Sequence, residues 1–208
     1  YTSRMTYIWQ LPDWPRFRWD ESAVARAAAR VRQDIGYVLA LADAVGLDVR
    51  QKTEVTILSD TIDSSGQIEG VNLGFDAIRS SVARRLGVDI GGLAPVDRHV
   101  DGVVELTLDA TRNASAPLTD ERLFGWHSAL FPTGRSGIGR IVTGAYRTDT
   151  DGPMRVISGP MGREKTHYEA PPADRVPDEM RAFLEWFNAW PLDGLLMSAV
   201  AHLRFVTV

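Results

Sequence analysis

Between Val24 and Ala42 the apolar residues Val24, Ala28, Val31, Ile35, Val38 and Ala42 return at intervals of four and three. That period puts them on one face of a helix, and such a face predicts burial against a partner. The rhythm recurs with Val55, Leu58 and Ile62, then with Phe75, Ile78, Val82 and Leu86, then with Val100, Val103, Val104 and Leu108. Four amphipathic helices in succession predict a mainly α protein built as a bundle. The punctuation agrees. Asp20 or Ser22 can cap the first helix, Gly46, Gly70 and Gly87 close the first three, and the fourth stops near Asn113. Gly91, Gly92 and Pro95 mark a turn before it.

Thr119 is a plausible N-cap for a fifth, short helix, with Asp120 and Glu121 in its first turn and Leu123, Trp126 and Leu130 as its buried face. His127 beside them reads as structural. The stretch 133–140 is glycine-rich and cationic. It lacks the Gly-Lys-Ser/Thr ending of a P-loop and does not fit Gly-x-Gly-x-x-Gly, so it reads as a flexible connector. The period then changes to two. Residues 154–158 and 166–170 predict strands around the turn Gly159-Pro160-Met161-Gly162. A lone hairpin among helices has open edges, which can accept an incoming peptide as an added strand. Pro177 suits the first turn of a helix with Met180, Phe183, Leu184 and Phe187 on its stripe. Residues 194–208 are nearly all apolar, and a helix apolar all round is expected at the centre of a bundle, with no cap for its last carbonyls legible in the sequence.

At 208 residues the chain can bury a sizeable core, and 44% hydrophobic with 24% charged residues is ordinary for a soluble globular protein. A net charge of −4 gives no support for a nucleic-acid partner. No stretch reaches the roughly 20 apolar residues that span a bilayer. Without cysteine there is no thiolate nucleophile or disulfide, which fits a cytoplasmic protein. His99, His127, His167 and His202 are far apart and show no metal-ligand spacing. Residues 1–4, before Met5, read as a tag remnant. Trp9, Trp14, Phe17 and Trp19, interleaved with Pro12 and Pro15, predict an extended arm pinned to the body by its rings, or alternatively a peptide-binding groove.

The segment Ser65-Gly66-Gln67-Ile68-Glu69-Gly70 closes the second helix. Glu69 points a carboxylate into the negative end of the macrodipole, unfavourable by about 0.3–1 kcal/mol, and Ser65 lies one turn earlier on the same face. This Ser-x-x-x-Glu-Gly stretch, followed by another helix, resembles the inhibitory motif of Fic proteins, which transfer AMP from ATP to protein hydroxyls. Three further stretches share the resemblance. Tyr7-Ile8-Trp9-Gln10 with Trp14, Phe17, Trp19 and Asp20 resembles the arm of one bacterial subgroup. The hairpin, entered from Gly144-Ala-Tyr146-Arg147 and left by Ala170-Pro171-Pro172, resembles the family's flap. The tail from Ala201 to Val208 resembles the segment immediately before the signature His-x-Phe-x-Asp/Glu-Gly-Asn-Gly-Arg-x-x-Arg.

The resemblance implies a Fic-like bundle with one β-hairpin flap, arranged as an aromatic arm over 1–20, an N-terminal helical region over 21–95 and the start of the Fic domain over 96–208. It implies that Ser65, Glu69 and Gly70 form an inhibitory motif whose glutamate occupies an arginine of the catalytic loop. It implies that Arg155, Val156, Ile157, Ser158, His167 and Tyr168 belong to a target-docking flap. ATP and Mg²⁺ are implied as well, with a partner protein bearing a Ser, Thr or Tyr hydroxyl, or the protein itself, as acceptor, and homodimers are common in the family. The signature that would carry the base, the phosphate nest and the metal ligand is absent from these residues, and His202 lacks the x-Phe and glycine loop that would make it the base. The chain is therefore expected to carry no catalytic residue and no metal ligand, and to be inactive alone. The other reading is a non-catalytic regulatory or peptide-binding helical module.

Overall fold

The middle stripes meet in one core. In the computed structural model, which describes residues 6–208 apart from 45, 137, 138, 151 and 161, Val55 and Ile62 pack with Ile78, Val82, Ala83, Val100 and Val104. These residues come from α2 (Leu47–Ile68), α3 (Phe75–Leu86) and α4 (Arg98–Arg112). Ile78, Val82 and Val104 have no exposed surface, and each such burial is worth about 1.5–3 kcal/mol. The caps close these helices locally. Asp97 accepts from Val100 N, Gly87 turns into the left-handed region at φ 68°, and Asn113 ends α4.

α5 (Asp120–Leu130) lies on α4 with their backbones touching. A Cβ on Gly102 would sit 1.9 Å from the Ala129 carbonyl oxygen. Asp109 clamps the pair by accepting from Arg122 Nη2 at 2.9 Å and Trp126 Nε1 at 2.8 Å, and from Asn113 Nδ2 at 2.6 Å. These bonds, from Asn113 first and then Arg122, hold its carboxyl below the usual range. Thr119 caps α5 as expected. Its apolar face is only half-buried, with Leu123, Trp126 and Leu130 each partly exposed.

The stretch expected as a flexible connector instead pairs β1 (Arg135–Ser136) with β2 (Gly139–Arg140), Arg135 opposite Arg140. Gly134 at φ 64° supplies the turn into it. The expectation of a single hairpin is corrected accordingly: the described residues form two antiparallel pairs. The connector residues Gly137 and Ile138 and the turn residue Met161 lie outside the described residues, as does the tag reading of 1–4.

Residues 31–144 make one unit, and the remainder, up to Arg30 and from Ala145 onward, makes a second. In the second unit β3 (Arg155–Ser158) pairs antiparallel with β4 (Lys165–Glu169), and α6 (Val176–Asn188) packs on α7 (Gly194–Thr207). Pro177 falls in the first turn of α6. The arm is not extended. It makes a 3-10 turn over Ile8–Gln10 and further turns at Trp14 and Arg16. Its indoles then anchor it, Trp9 Nε1 donating to the Glu169 carbonyl at 2.7 Å and Trp14 Nε1 to Glu179 at 3.0 Å.

Expected burials also fail at Phe75 of α3, which is exposed, and along α1 and α7. α1 (Glu21–Ala44), capped by Asp20, buries Ala28, but Val31, Ile35 and Val38 stand exposed because no described residue covers that face. α7 buries one side, through Met197, Val200, Ala201, Arg204 and Thr207, while Leu203, Phe205 and Val206 are exposed. Composition makes a helix buryable on every side, and only neighbours make it buried.

Candidate functional site

α2 ends in a Schellman turn. Glu69 is the C-cap, Gly70 follows at φ 73°, Gly70 N donates to the Gln67 carbonyl at 3.1 Å and Val71 N to the Gly66 carbonyl at 2.8 Å. Gly66 allows the close return of the chain, since a Cβ there would lie 3.0 Å from the Val71 carbonyl oxygen. Glu69 is one residue past the last helical position rather than inside the last turn. Its N–H bonds back to the Ser65 carbonyl at 3.3 Å, and the Ser65 hydroxyl makes no bond to the carboxylate.

This turn forms one wall of a cavity of about 630 Å³. Ser65, Gly66 and Glu69 line it from α2, His99 and Val103 from α4, and residues 130–133 with Arg135 from the end of α5 onward. Gly70 shapes the turn without facing the cavity. No side-chain hydrogen bond or ion pair among the described residues engages Glu69. His99 Nδ1 lies 2.8 Å from the Leu130 carbonyl, so that nitrogen carries the proton and Nε2 is left as an acceptor in the neutral ring. The cavity thus gathers the Glu69 carboxylate, the His99 imidazole and the Arg135 guanidinium on largely apolar walls. His99 was not legible as a cavity residue, because its partner Leu130 is 31 positions away and no local motif signals the pair.

The six hairpin residues fall in the other unit. Val156 pairs with Tyr168 and Ile157 with Thr166, which leaves His167 as the extra residue of a bulge. Arg155, Val156, Ile157 and Ser158 are all exposed, and Arg155 lies 3.9 Å from Glu169 across the pair. Exposed His167 Nε2 meets Ser158 Oγ at 2.6 Å. Tyr168 is half-buried, edge-on to the Tyr7 ring, and burial pushes its hydroxyl pKa up. That hydroxyl donates to the Thr207 carbonyl at 2.5 Å, and Arg147 donates to the Val208 carbonyl at 3.0 Å. The carbonyls of Thr207 and Val208 thus accept from residues 39 and 61 positions away, beyond the reach of any local sequence signal.

Among the described residues no group of three or more His, Cys, Asp or Glu side chains could hold a metal ion. No described helix is long and apolar enough to cross a membrane. No curated protein matches the chain. Residues 7–88 match a domain of unknown function (DUF4172), a span that takes in the arm and α1 to α3, and so Ser65, Glu69 and Gly70, but leaves out the hairpin.

Proposed function

We propose that this chain is the regulatory and target-docking part of a Fic-type protein adenylyltransferase, which moves AMP from ATP to a protein hydroxyl and is held off by Glu69. The observation that carries the reading is the carboxylate at the C-cap of α2, without an ionic partner and open to a cavity. It suits a guanidinium supplied by a catalytic loop, and an arginine so occupied is withheld from the nucleotide's γ-phosphate. The hairpin offers the docking edge, with every residue of β3 exposed. The resemblance of the tail from Ala201 to Val208 puts the loop immediately after it.

The donor set of these residues does not fit a nucleotide–metal site. The glycine-rich stretch 133–140 fits neither phosphate-binding sequence pattern, and the described residues hold no cluster of metal ligands. The 208-residue polypeptide alone is therefore expected not to label a target with AMP. The test is incorporation of labelled AMP by the full-length protein and its Glu69→Gly variant. Higher incorporation by the variant supports the reading, and equal incorporation refutes the inhibitory role. A second reading, a peptide-binding module, is favoured by the open edge of the same hairpin. Full-length protein with no AMP transfer, but saturable binding of an extended peptide, would decide for it.

A further inference from the structure

The sequence signals nothing about how the hairpin is held, yet a set of long-range polar contacts lies at its base. Arg147 donates to the carbonyls of Pro171, just past β4, and of Val208, at the end of α7. It also pairs with Asp149 at 3.3 Å, whose second oxygen accepts from Ala173 N at 2.7 Å. From the strand itself, Tyr168 donates to the Thr207 carbonyl. The carbonyls of Thr207 and Val208 thus accept from the segments that enter and form the hairpin.

We propose that Arg147 and Tyr168 are positioning residues that fix the β3–β4 hairpin to the end of α7. The bulge makes this a matter of register. Successive strand residues face opposite sides, so the extra residue His167 determines that Tyr168 falls on the side of α7. A one-residue slip would turn the tyrosine away and present a different edge. Functionally the inference rests on the adenylyltransferase reading. The hairpin edge holds the acceptor segment, the polypeptide leaving α7 carries the chemistry, and the clamp sets the distance between them. A displacement of about 1 Å at such a junction can cost about 100-fold in rate.

The experiment uses full-length protein with Tyr168→Phe, Arg147→Met and the conservative Arg147→Lys. Amide exchange is read at 155–158 and 165–169 in the hairpin and at 203–207 in α7. Losing one bond of the clamp is expected to speed exchange about fivefold to tenfold in both regions together and to leave α6 unchanged. Arg147→Lys should restore part of the protection. Faster exchange in one region with the other unmoved overturns the coupling. In the labelling assay, Tyr168→Phe is expected to lower kcat for AMP transfer at unchanged KM for ATP. Unchanged kcat with loosened exchange overturns the positioning role. If wild-type protein transfers no AMP, the adenylyltransferase reading fails on its own, and the exchange result alone decides whether hairpin and helix end move as one.

Discussion

Gly102 offers the sharpest test of the packing that carries the cavity. A methyl group added there would lie 1.9 Å from the Ala129 carbonyl oxygen and 2.7 Å from its carbon. Both atoms belong to the α5 backbone, so no side chain can rotate away. To reach ordinary contact the helices must open by about 1.5 Å at the crossing. Overpacking of this kind costs about 1–3 kcal/mol, while alanine in place of glycine within a helix returns about 0.5–1 kcal/mol. The two terms leave a net loss of up to about 2.5 kcal/mol. Because both clashing atoms are backbone, Gly102→Ala is expected in the upper half of that range, a fall of about 3–10 °C in melting temperature for a chain of this size. Gly125, in the neighbouring helix, is the internal control, since nothing lies within 4 Å of a Cβ built there. Gly125→Ala should therefore stabilise by about 0.4–1 kcal/mol. Calorimetry gives the shift, and amide exchange in α4 and α5 locates it. If Gly102→Ala is as stable as wild type, or gains as Gly125→Ala does, the backbones do not meet at that crossing.

Gly70→Ala forces an L side chain into the left-handed region and should cost about 1–2 kcal/mol, read by denaturant titration. Asp109 has a depressed folded pKa, so its contribution is present above its unfolded value of about 3.9 and is lost as pH falls through the lower folded value. An acid titration of stability should accordingly show a smaller loss over that range in Asp109→Asn than in wild type. Equal slopes would deny the clamp its charge.

The helices were legible because their signals are local. Asp20 and Thr119 cap where capping chemistry places them, and Gly70 and Gly87 turn left-handed where helices stop. The stripes of α2, α3 and α4 reached the core because each had the others to cover it. The stripe of α1 carries the same period and stays uncovered at Val31, Ile35 and Val38, since periodicity specifies a face and says nothing about its neighbour. Arg147, Asp109 and His99 were invisible for the converse reason. Each is placed by a carbonyl or ring far along the chain, and a polar residue with a distant partner looks like any other polar residue.

Glu69 was legible as a residue out of place. A carboxylate at a helix C-terminus opposes the macrodipole, a lysine there would favour it, and the last turn of α2 holds no basic residue. This makes Glu69→Gln informative in two independent ways. In the 208-residue chain the amide removes the unfavourable charge without emptying the space, so the variant should unfold at higher denaturant than wild type. In the full-length protein the same change removes the acceptor for the proposed guanidinium and should raise AMP transfer. A gain in stability without a gain in transfer would keep the electrostatics and discard the inhibition. A loss of stability would mean that the carboxylate already has a favourable partner, and would discard the premise on which the inhibitory role was built.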